Sequence, residues 1–160
     1  MSEPRSIIRR GEVVVDDWSH LGEELPGDVE AVIVPLAELR DGDAKWRAWR
    51  GRLGVRIDAE TRIEDLAADL ARFALIAVVF PSPGEGRGYS QARLLRERYK
   101  FEGELRAVGA VKRDQLFLMA RAGFDSFELA QGEDPRAASR SLASFSVAYQ
   151  PGVGPTRLRS

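Results

Sequence analysis

A glycine-rich segment with two nearby arginines is the part of this sequence best suited to hold a ligand. It reads GEGRGYS over residues 84–90 and follows an uninterrupted apolar run, ALIAVVF, over residues 74–80. Glycines let a ligand approach the backbone closely, and guanidinium groups pair with phosphate, sulfate or carboxylate. The segment therefore predicts an anion-binding cleft at a strand-to-helix junction. Its candidate residues are Arg87, Gly88, Tyr89, Ser90 and Arg93.

The same segment has a plainer interpretation. It is not a P-loop, because no Gly-Lys-Ser/Thr follows, and it lacks the spacing of a dinucleotide-binding fingerprint. A turn that needs glycines only for its backbone angles would look the same. Residues 87–113 carry eight basic and three acidic side chains, which fits either an anion-facing patch or a solvated helix face.

Two later strand-to-helix junctions supply secondary candidates for the same cleft. These are Arg106, Asp114, Gln115 and Glu128. Arg106 lies inside an expected strand, where an unpaired guanidinium would be costly, so Glu128 or Asp125 on the neighbouring strand is its expected partner. Asp114 is better explained as a helix cap than as a catalytic acid.

Composition excludes several kinds of chemistry. The chain has 160 residues, no cysteine and a single histidine, His20. It therefore has no thiol nucleophile or thiol redox centre, and no multi-histidine metal site. Ser90 has no evident base, because His20 lies far away in the sequence and is more simply a structural residue. We predict no metal site, and the adjacent Asp16 and Asp17 lack a third carboxylate nearby.

Overall charge and hydropathy limit the possible partners. The formal net charge is −1, so the chain is not expected to bind nucleic acid generally. The N-terminus lacks the long apolar core of a signal peptide, and the longest apolar run is too short to cross a bilayer. The protein is expected to be cytoplasmic, with no membrane partner.

Apolar runs and turn residues place the elements that would position these groups. A β-hairpin is expected around Gly11, with strands at 6–10 and 12–15, followed by a loop holding Trp18 and His20. Further strands are expected at 31–34, 53–57, 74–80, 104–111, 125–129 and 146–150.

Capping residues mark the expected helices between the strands. One helical turn at 36–40 is expected, followed by a short helix in which Trp46 and Trp49 share a buried face. Expected caps are Asp43, a Thr61–Glu64 capping box, Ser90, Asp114, Gly123 with Phe124 behind it, and Asp134 before Pro135. The last helix is expected to bury Ala138, Leu142 and Phe145.

The alternation of strands and helices predicts the fold class. We expect one α/β domain over residues 1–150, with a mainly parallel sheet built from βα units and a small N-terminal hairpin. The sheet could be open or curled into a partial barrel. Residues 151–160 are expected to form a loose flexible tail.

The central motifs also resemble a known family. GRGYSQARLLR, GELRAVGAVKRDQL and RAGFDSFEL, with the later Phe145 and Tyr149-Gln150, are similar to the bacterial family called domain of unknown function 934. Members of that family carry the label of oxidoreductases of sulfite reduction. The resemblance implies a role beside sulfite reductase or phosphoadenylyl-sulfate reductase, whose genes typically neighbour those of the family.

Two hypotheses follow from the residues and the resemblance together. In the first, the chain is an accessory protein of assimilatory sulfate and sulfite reduction that binds a small anion or a reductase partner without catalysis. In the second, it is an oxidoreductase of the same pathway that uses a bound flavin or nicotinamide, since it has no redox group of its own. An interaction scaffold that presents exposed tryptophans is a third possibility.

Overall fold

The computed structural model describes residues 5–22 and 29–148, with side chains through residue 144. Its centre is a single sheet of eight strands in the order β2-β1-β8-β7-β6-β5-β4-β3. The strands are β1 (Ser6–Arg9), β2 (Glu12–Val15), β3 (Ser19–His20), β4 (Ala31–Pro35), β5 (Arg52–Ile57), β6 (Leu75–Phe80), β7 (Glu104–Gly109) and β8 (Ser126–Phe127).

The sheet is mixed, which corrects the expectation of a mainly parallel sheet with a separate hairpin. Neighbours from β3 to β8 are parallel. The expected hairpin is present, with Arg10 and Gly11 at φ 53° and 85° in its turn. Its first strand, however, pairs antiparallel with β8, so the hairpin extends the sheet. Residues Ser19 and His20, expected in a loop, form the short strand at the opposite edge.

The helices connect the strands on one side of the sheet. They are α1 (Leu36–Asp41), α2 (Asp43–Arg47), a 3-10 helix (Ile63–Arg72), α3 (Gly86–Arg93) continued by a π-helical turn (Leu94–Arg98), a 3-10 turn (Arg113–Gln115), α4 (Leu116–Ala122) and α5 (Pro135–Ala148).

Four of the expected helix caps are wrong. Gly42, not Asp43, precedes α2, and the Asp43 carboxylate accepts a hydrogen bond from Arg47. Thr61 bonds to Asp58 instead of closing a capping box, and the segment after it winds as a 3-10 helix. Ser90 is not a cap, because α3 begins earlier at the Glu85 cap and Ser90 lies inside the helix. Asp114 makes no cap hydrogen bond.

The other two helix ends are confirmed. Gly123, at φ 125°, ends α4 in a conformation that favours glycine, and Phe124 behind it is buried. Asp134 Oδ1 accepts the amide of Arg136 at 3.1 Å and so starts α5. That helix continues to Ala148, so the strand expected from residue 146 is wrong over 146–148.

Some expectations fall on parts of the chain outside the description. The last two residues of the expected strand, 149 and 150, and the tail expected at 151–160 lie beyond the described residues, as does the side chain of Phe145. Ala138 and Leu142 are buried in α5 as expected. Within the described ranges, none of the helices has the length and hydropathy to cross a bilayer.

The two faces of the sheet carry different side chains because residues alternate along each strand. One face packs against the helices and holds the main core, which includes Ile76, Val78 and Phe80 of β6. Trp46 is buried in that core, and Trp49 is half-buried against it with the ring centroids 5.7 Å apart. Together with the burial of Trp18, this leaves no wide tryptophan surface on the described part of the chain.

The sheet curls into a half-barrel. β3 and β8 are five strand-to-strand steps apart in the sheet, which would separate them by about 24 Å if the sheet were flat. Yet Nε2 of His20, in β3, lies 2.8 Å from Oε1 of Glu128, just after β8. This curvature resolves the alternative between an open sheet and a partial barrel, and it creates a concave face.

Candidate functional site

The concave face carries a row of polar side chains at one level across the sheet. Arg56, Ala77, Arg106 and Ser126 are register partners on β5, β6, β7 and β8. Partners in a parallel ladder project to the same side, so two arginines face the hollow with a small alanine between them. An apolar cluster lies on the same face. It consists of Trp18, Ala31, Ile33, Leu75, Ala77 and Val108.

Arg106 is the centre of a buried ion-pair network. Its guanidinium makes a two-pronged pair with Asp16, at 2.9 and 3.0 Å, and neither side chain is exposed. It also contacts Glu104 at 3.0 Å, Glu128 at 3.3 Å and the hydroxyl of Ser126 at 3.2 Å. The expected pairing of Arg106 with Glu128 is confirmed, and Asp16 is its closest partner.

Neighbouring groups keep the buried carboxylates ionised. Burial raises the pKa of Asp16, but the hydrogen bonds and charge of Arg106, the Trp18 amide and Arg5 outweigh it, so the pKa lies below its usual value. Burial likewise raises the pKa of Glu128, and the His20 hydrogen bond and nearby arginine charges reverse that effect. Both carboxylates therefore carry their negative charge at neutral pH.

His20 joins this network to Arg56. Glu128 Oε1 lies 2.8 Å from Nε2 of the imidazole, and Nη1 of Arg56 lies 2.9 Å from Nδ1. Both ring nitrogens are thus engaged. Arg56 itself is half-buried, and among the residues that the structure describes His20 is its only hydrogen-bond partner.

The segment between β2 and β3 closes over part of the concave face. Trp18 is 4% exposed and stacks beneath the guanidinium of Arg52, 5.0 Å from its ring centroid. A Cβ on Gly54 would lie 3.2 Å from the Trp18 ring, so glycine gives the indole room against β5. The indole therefore belongs to the apolar cluster of the concave face.

The glycine-rich segment forms the first turns of α3. Gly88 packs against Phe80, where an added Cβ would be 2.6 Å from the ring. Tyr89 packs edge-on against the same ring, and burial, with the charge of Asp114, raises its pKa. The Ser90 hydroxyl donates to the carbonyl of Gly86 at 3.4 Å. Packing against Phe80 thus explains the glycine at position 88 and the tyrosine at position 89.

The two arginines of this segment lie on different sides of α3. Arg87 pairs with Glu60 at 2.9 Å, and Arg93 is exposed. Six residues of α-helix separate them by about 120° around the axis. Asp114 is exposed too, and Gln115 is half-buried. The structure therefore brings Arg106 and Glu128 together and leaves these other candidates apart from them. Anion binding at Arg87 and Arg93 stays a prediction.

Sequence reasoning missed the residues that complete the concave cluster. Sequence patterns assign no place in a site to His20, Asp16 or Arg56. A signal for Arg56 exists, because an arginine inside the apolar strand Leu53–Ile57 needs an explanation just as Arg106 does. No local pattern could have paired Asp16 or His20 with residues 90 and 108 positions away.

Two surface cavities lie elsewhere. One, of about 280 Å³, is lined by Trp46, Arg47, Trp49, Gly51, Leu53 and Arg72. The other, of about 250 Å³, is lined by Leu36, Arg40, Asp58, Glu60, Thr61, Arg62 and Asp65. Both volumes lie just below the roughly 300–1,000 Å³ usual for sites that bury a drug-sized ligand. Over residues 5–22 and 29–148, no group of three or more His, Asp or Glu side chains is placed to hold a metal ion.

Comparison with known proteins identifies a family without assigning a function. No curated protein matches the chain. One family model matches residues 54–157, which include Arg56, Arg106 and Glu128 and leave Asp16 and His20 outside. As that match covers more than half of its length, the chain belongs to the family described as bacterial protein of unknown function, DUF934.

Proposed function

We propose that this chain is an accessory protein of sulfate and sulfite reduction that binds a small oxyanion on its concave face, with Arg56 as the contacting cation. The observation that supports anion binding is the environment of Arg56. Three carboxylates surround Arg106, whereas the described hydrogen-bond partner of Arg56 is an imidazole nitrogen. A half-buried guanidinium that bonds a ring nitrogen through one N–H keeps other donors for an anion, and charge-assisted hydrogen bonds are about twice as strong as neutral ones.

The geometry of His20 favours binding over acid–base catalysis. A catalytic imidazole needs a ring nitrogen that can reach the substrate. Both nitrogens of His20 are already engaged, one by Glu128 and the other by Arg56. We therefore favour the accessory role over acid–base catalysis by His20.

The pathway in this proposal comes from the family resemblance. Members labelled for sulfite reduction imply sulfate or sulfite as the anion, and sulfite reductase or phosphoadenylyl-sulfate reductase as the protein partner. Tetrahedral sulfate and pyramidal sulfite both present several oxygens that a guanidinium can contact in pairs. We expect the half-buried Arg56 to make such contacts on the concave face.

A thermal-shift screen tests this proposal and separates the two anion sites. Wild type, Arg56→Gln and the double variant Arg87→Gln/Arg93→Gln are screened with sulfate, sulfite, adenylyl sulfates, flavins and nicotinamides. A ligand at about 100 times its Kd stabilises the native state by about 2.7 kcal/mol, which is roughly 5–11 °C for a chain of this size. We expect sulfate or sulfite to shift wild type and the double variant, but not Arg56→Gln.

Other outcomes would overturn the proposal. A shift that survives in Arg56→Gln and disappears in the double variant would move the anion to the glycine-rich segment. A shift by flavin or nicotinamide alone would favour the oxidoreductase. No shift by either sulfur oxyanion would refute oxyanion binding.

A further inference from the structure

We infer that the surface cavity beside Trp49 binds a planar heteroaromatic ring of nucleobase size, which stacks on the indole and accepts a hydrogen bond from Arg72. The cavity is separate from the proposed oxyanion site. Leu53, which lines it, belongs to the core on the helix side of β5. Arg56 lies three positions later and projects to the concave face, since side chains alternate along a strand. The two proposals can therefore fail independently.

Two indoles form the apolar part of the cavity wall. Trp46 is 5% exposed, so core packing accounts for it. Trp49 is half-buried, and its ring centroid lies 5.7 Å from that of Trp46, with the ring planes tilted by 56°. Its Nε1 donates to the carbonyl of Arg52 at 3.1 Å, which fixes the orientation of the ring. Trp49 therefore offers a partly open aromatic ring at the cavity, on which a flat ring can stack.

Arg72, which lines the same cavity, has donors without good acceptors. Its Nη1 lies 3.5 Å from Asp69 and 3.6 Å from Asp43, longer than the roughly 2.7–3.2 Å of a usual N–H···O bond. Its Nη2 is buried, and no residue that the structure describes accepts a hydrogen bond from it. A buried donor without an acceptor is costly. An acceptor atom in the cavity would satisfy it, and the long contacts to the aspartates oppose a turn of the guanidinium only weakly.

The charged groups at the cavity favour a neutral ring with acceptor atoms. The Asp43 carboxylate accepts from Arg47 at 2.7 Å, and Asp69 lies 3.9 Å from the same guanidinium. Two arginines are thus balanced by two aspartates. The charged side chains that line the cavity, Arg47 and Arg72, are only donors, whereas the hydroxyls of a sugar would need acceptors as well.

A purine base has the properties that this cavity requires. Its ring nitrogens accept hydrogen bonds, and its flat faces stack on indole rings and on guanidinium planes. Arg47, with a side chain 58% exposed, is open to such stacking. The volume of about 280 Å³ lies just below the range usual for drug-sized ligands, which suits a single ring system.

An NMR titration of ¹⁵N-labelled protein with adenosine tests the inference, and ribose, which lacks the base, is the control. The chain has three tryptophans, so their indole N–H signals report on the cavity and on a distant site in one spectrum. We expect adenosine to shift the signals of Trp46 and Trp49. The signal of Trp18, which lies on the concave face, should stay unchanged. Ribose should shift none of the three.

Two pairs of variants locate the contacts. Trp49→Leu removes the stacking surface and should weaken binding at least about fivefold, whereas Trp49→Phe keeps a ring and should retain most of the affinity. Arg72→Lys keeps the positive charge near Asp43 and Asp69 but lacks the second nitrogen, and should weaken binding about tenfold. Arg93→Lys makes the same change at an exposed position elsewhere and should have no effect. The dispersion of the amide spectrum shows whether each variant is folded.

Other results would overturn the inference. Indole signals that do not move up to the solubility limit of adenosine would show that the cavity does not bind a base. Equal shifts by ribose would show that the ring is not what is recognised. An unchanged Kd in a folded Trp49→Leu variant would place the ligand elsewhere, and an unchanged Kd in Arg72→Lys would refute the hydrogen bond from Arg72.

Discussion

Replacing Arg106 by methionine should destabilise the fold severely. Methionine is unbranched and reaches about as far as the Nε of arginine, and it removes the charge and all the donors. The unexposed Asp16 carboxylate would lose a two-pronged partner, and Glu104 and Glu128 would lose contacts at 3.0 and 3.3 Å. Removing one partner of a buried ion pair costs about 3–5 kcal/mol, and Arg5, which stays 3.0 Å from Asp16, compensates only part of the lost charge.

Urea unfolding followed by tryptophan fluorescence measures this loss. For a chain of this size, 3–5 kcal/mol corresponds to a fall in Tm of roughly 6–20 °C. The matched control is Arg93→Met, which removes the same groups from an exposed position and should cost less than about 0.5 kcal/mol. The double variant Arg106→Met/Asp16→Asn should recover part of the loss, because the stranded charge is gone.

A small effect would refute this reasoning. If Arg106→Met loses less than about 1 kcal/mol, or no more than Arg93→Met, the concave network does not hold the fold together. Equal stability of the single and double variants would show that the Asp16 charge finds another partner. Either result would require a different account of why an arginine is completely buried.

Two further predictions concern packing and pH. Gly88→Ala should lower the free energy of unfolding by about 1–3 kcal/mol, because the added Cβ would lie 2.6 Å from the Phe80 ring. Gly86→Ala is the control in the same urea assay, since a Cβ there meets open space. Because the folded pKa values of Asp16 and Glu128 are lowered, their contribution to stability is complete above their unfolded values near pH 4. This contribution should disappear as the pH falls through the lower folded pKa values. Unfolding curves between pH 7 and 2 should therefore show a smaller loss of stability in acid for Asp16→Asn than for wild type.

Local sequence patterns predicted the elements better than the way in which they assemble. The apolar run ending at Phe80 and the Gly123 helix end were correct, because each depends on a few adjacent residues. The Thr61 and Ser90 caps failed, because the Thr61 hydroxyl donates to Asp58 and because α3 already begins at the Glu85 cap, before Ser90. Propensity rules do not weigh such local competition.

The candidate site was partly predictable for a different reason. An arginine inside a strand demands a neighbouring carboxylate, so the pairing of Arg106 with Glu128 could be foreseen. Asp16 and His20 could not, since their positions depend on the sheet curling until its two ends approach. Curvature accumulates from small twists over many strand pairs, and no short stretch of sequence encodes its sum.

The joining of the N-terminal hairpin to β8 has a consequence for biosynthesis. Chains emerge from the ribosome N-terminus first, so the hairpin is made early, yet its pairing partner lies more than a hundred residues later. Closing so long a loop makes β-sheet assembly slow. Until β8 is translated, β1 has one open edge that chaperones would be expected to shield.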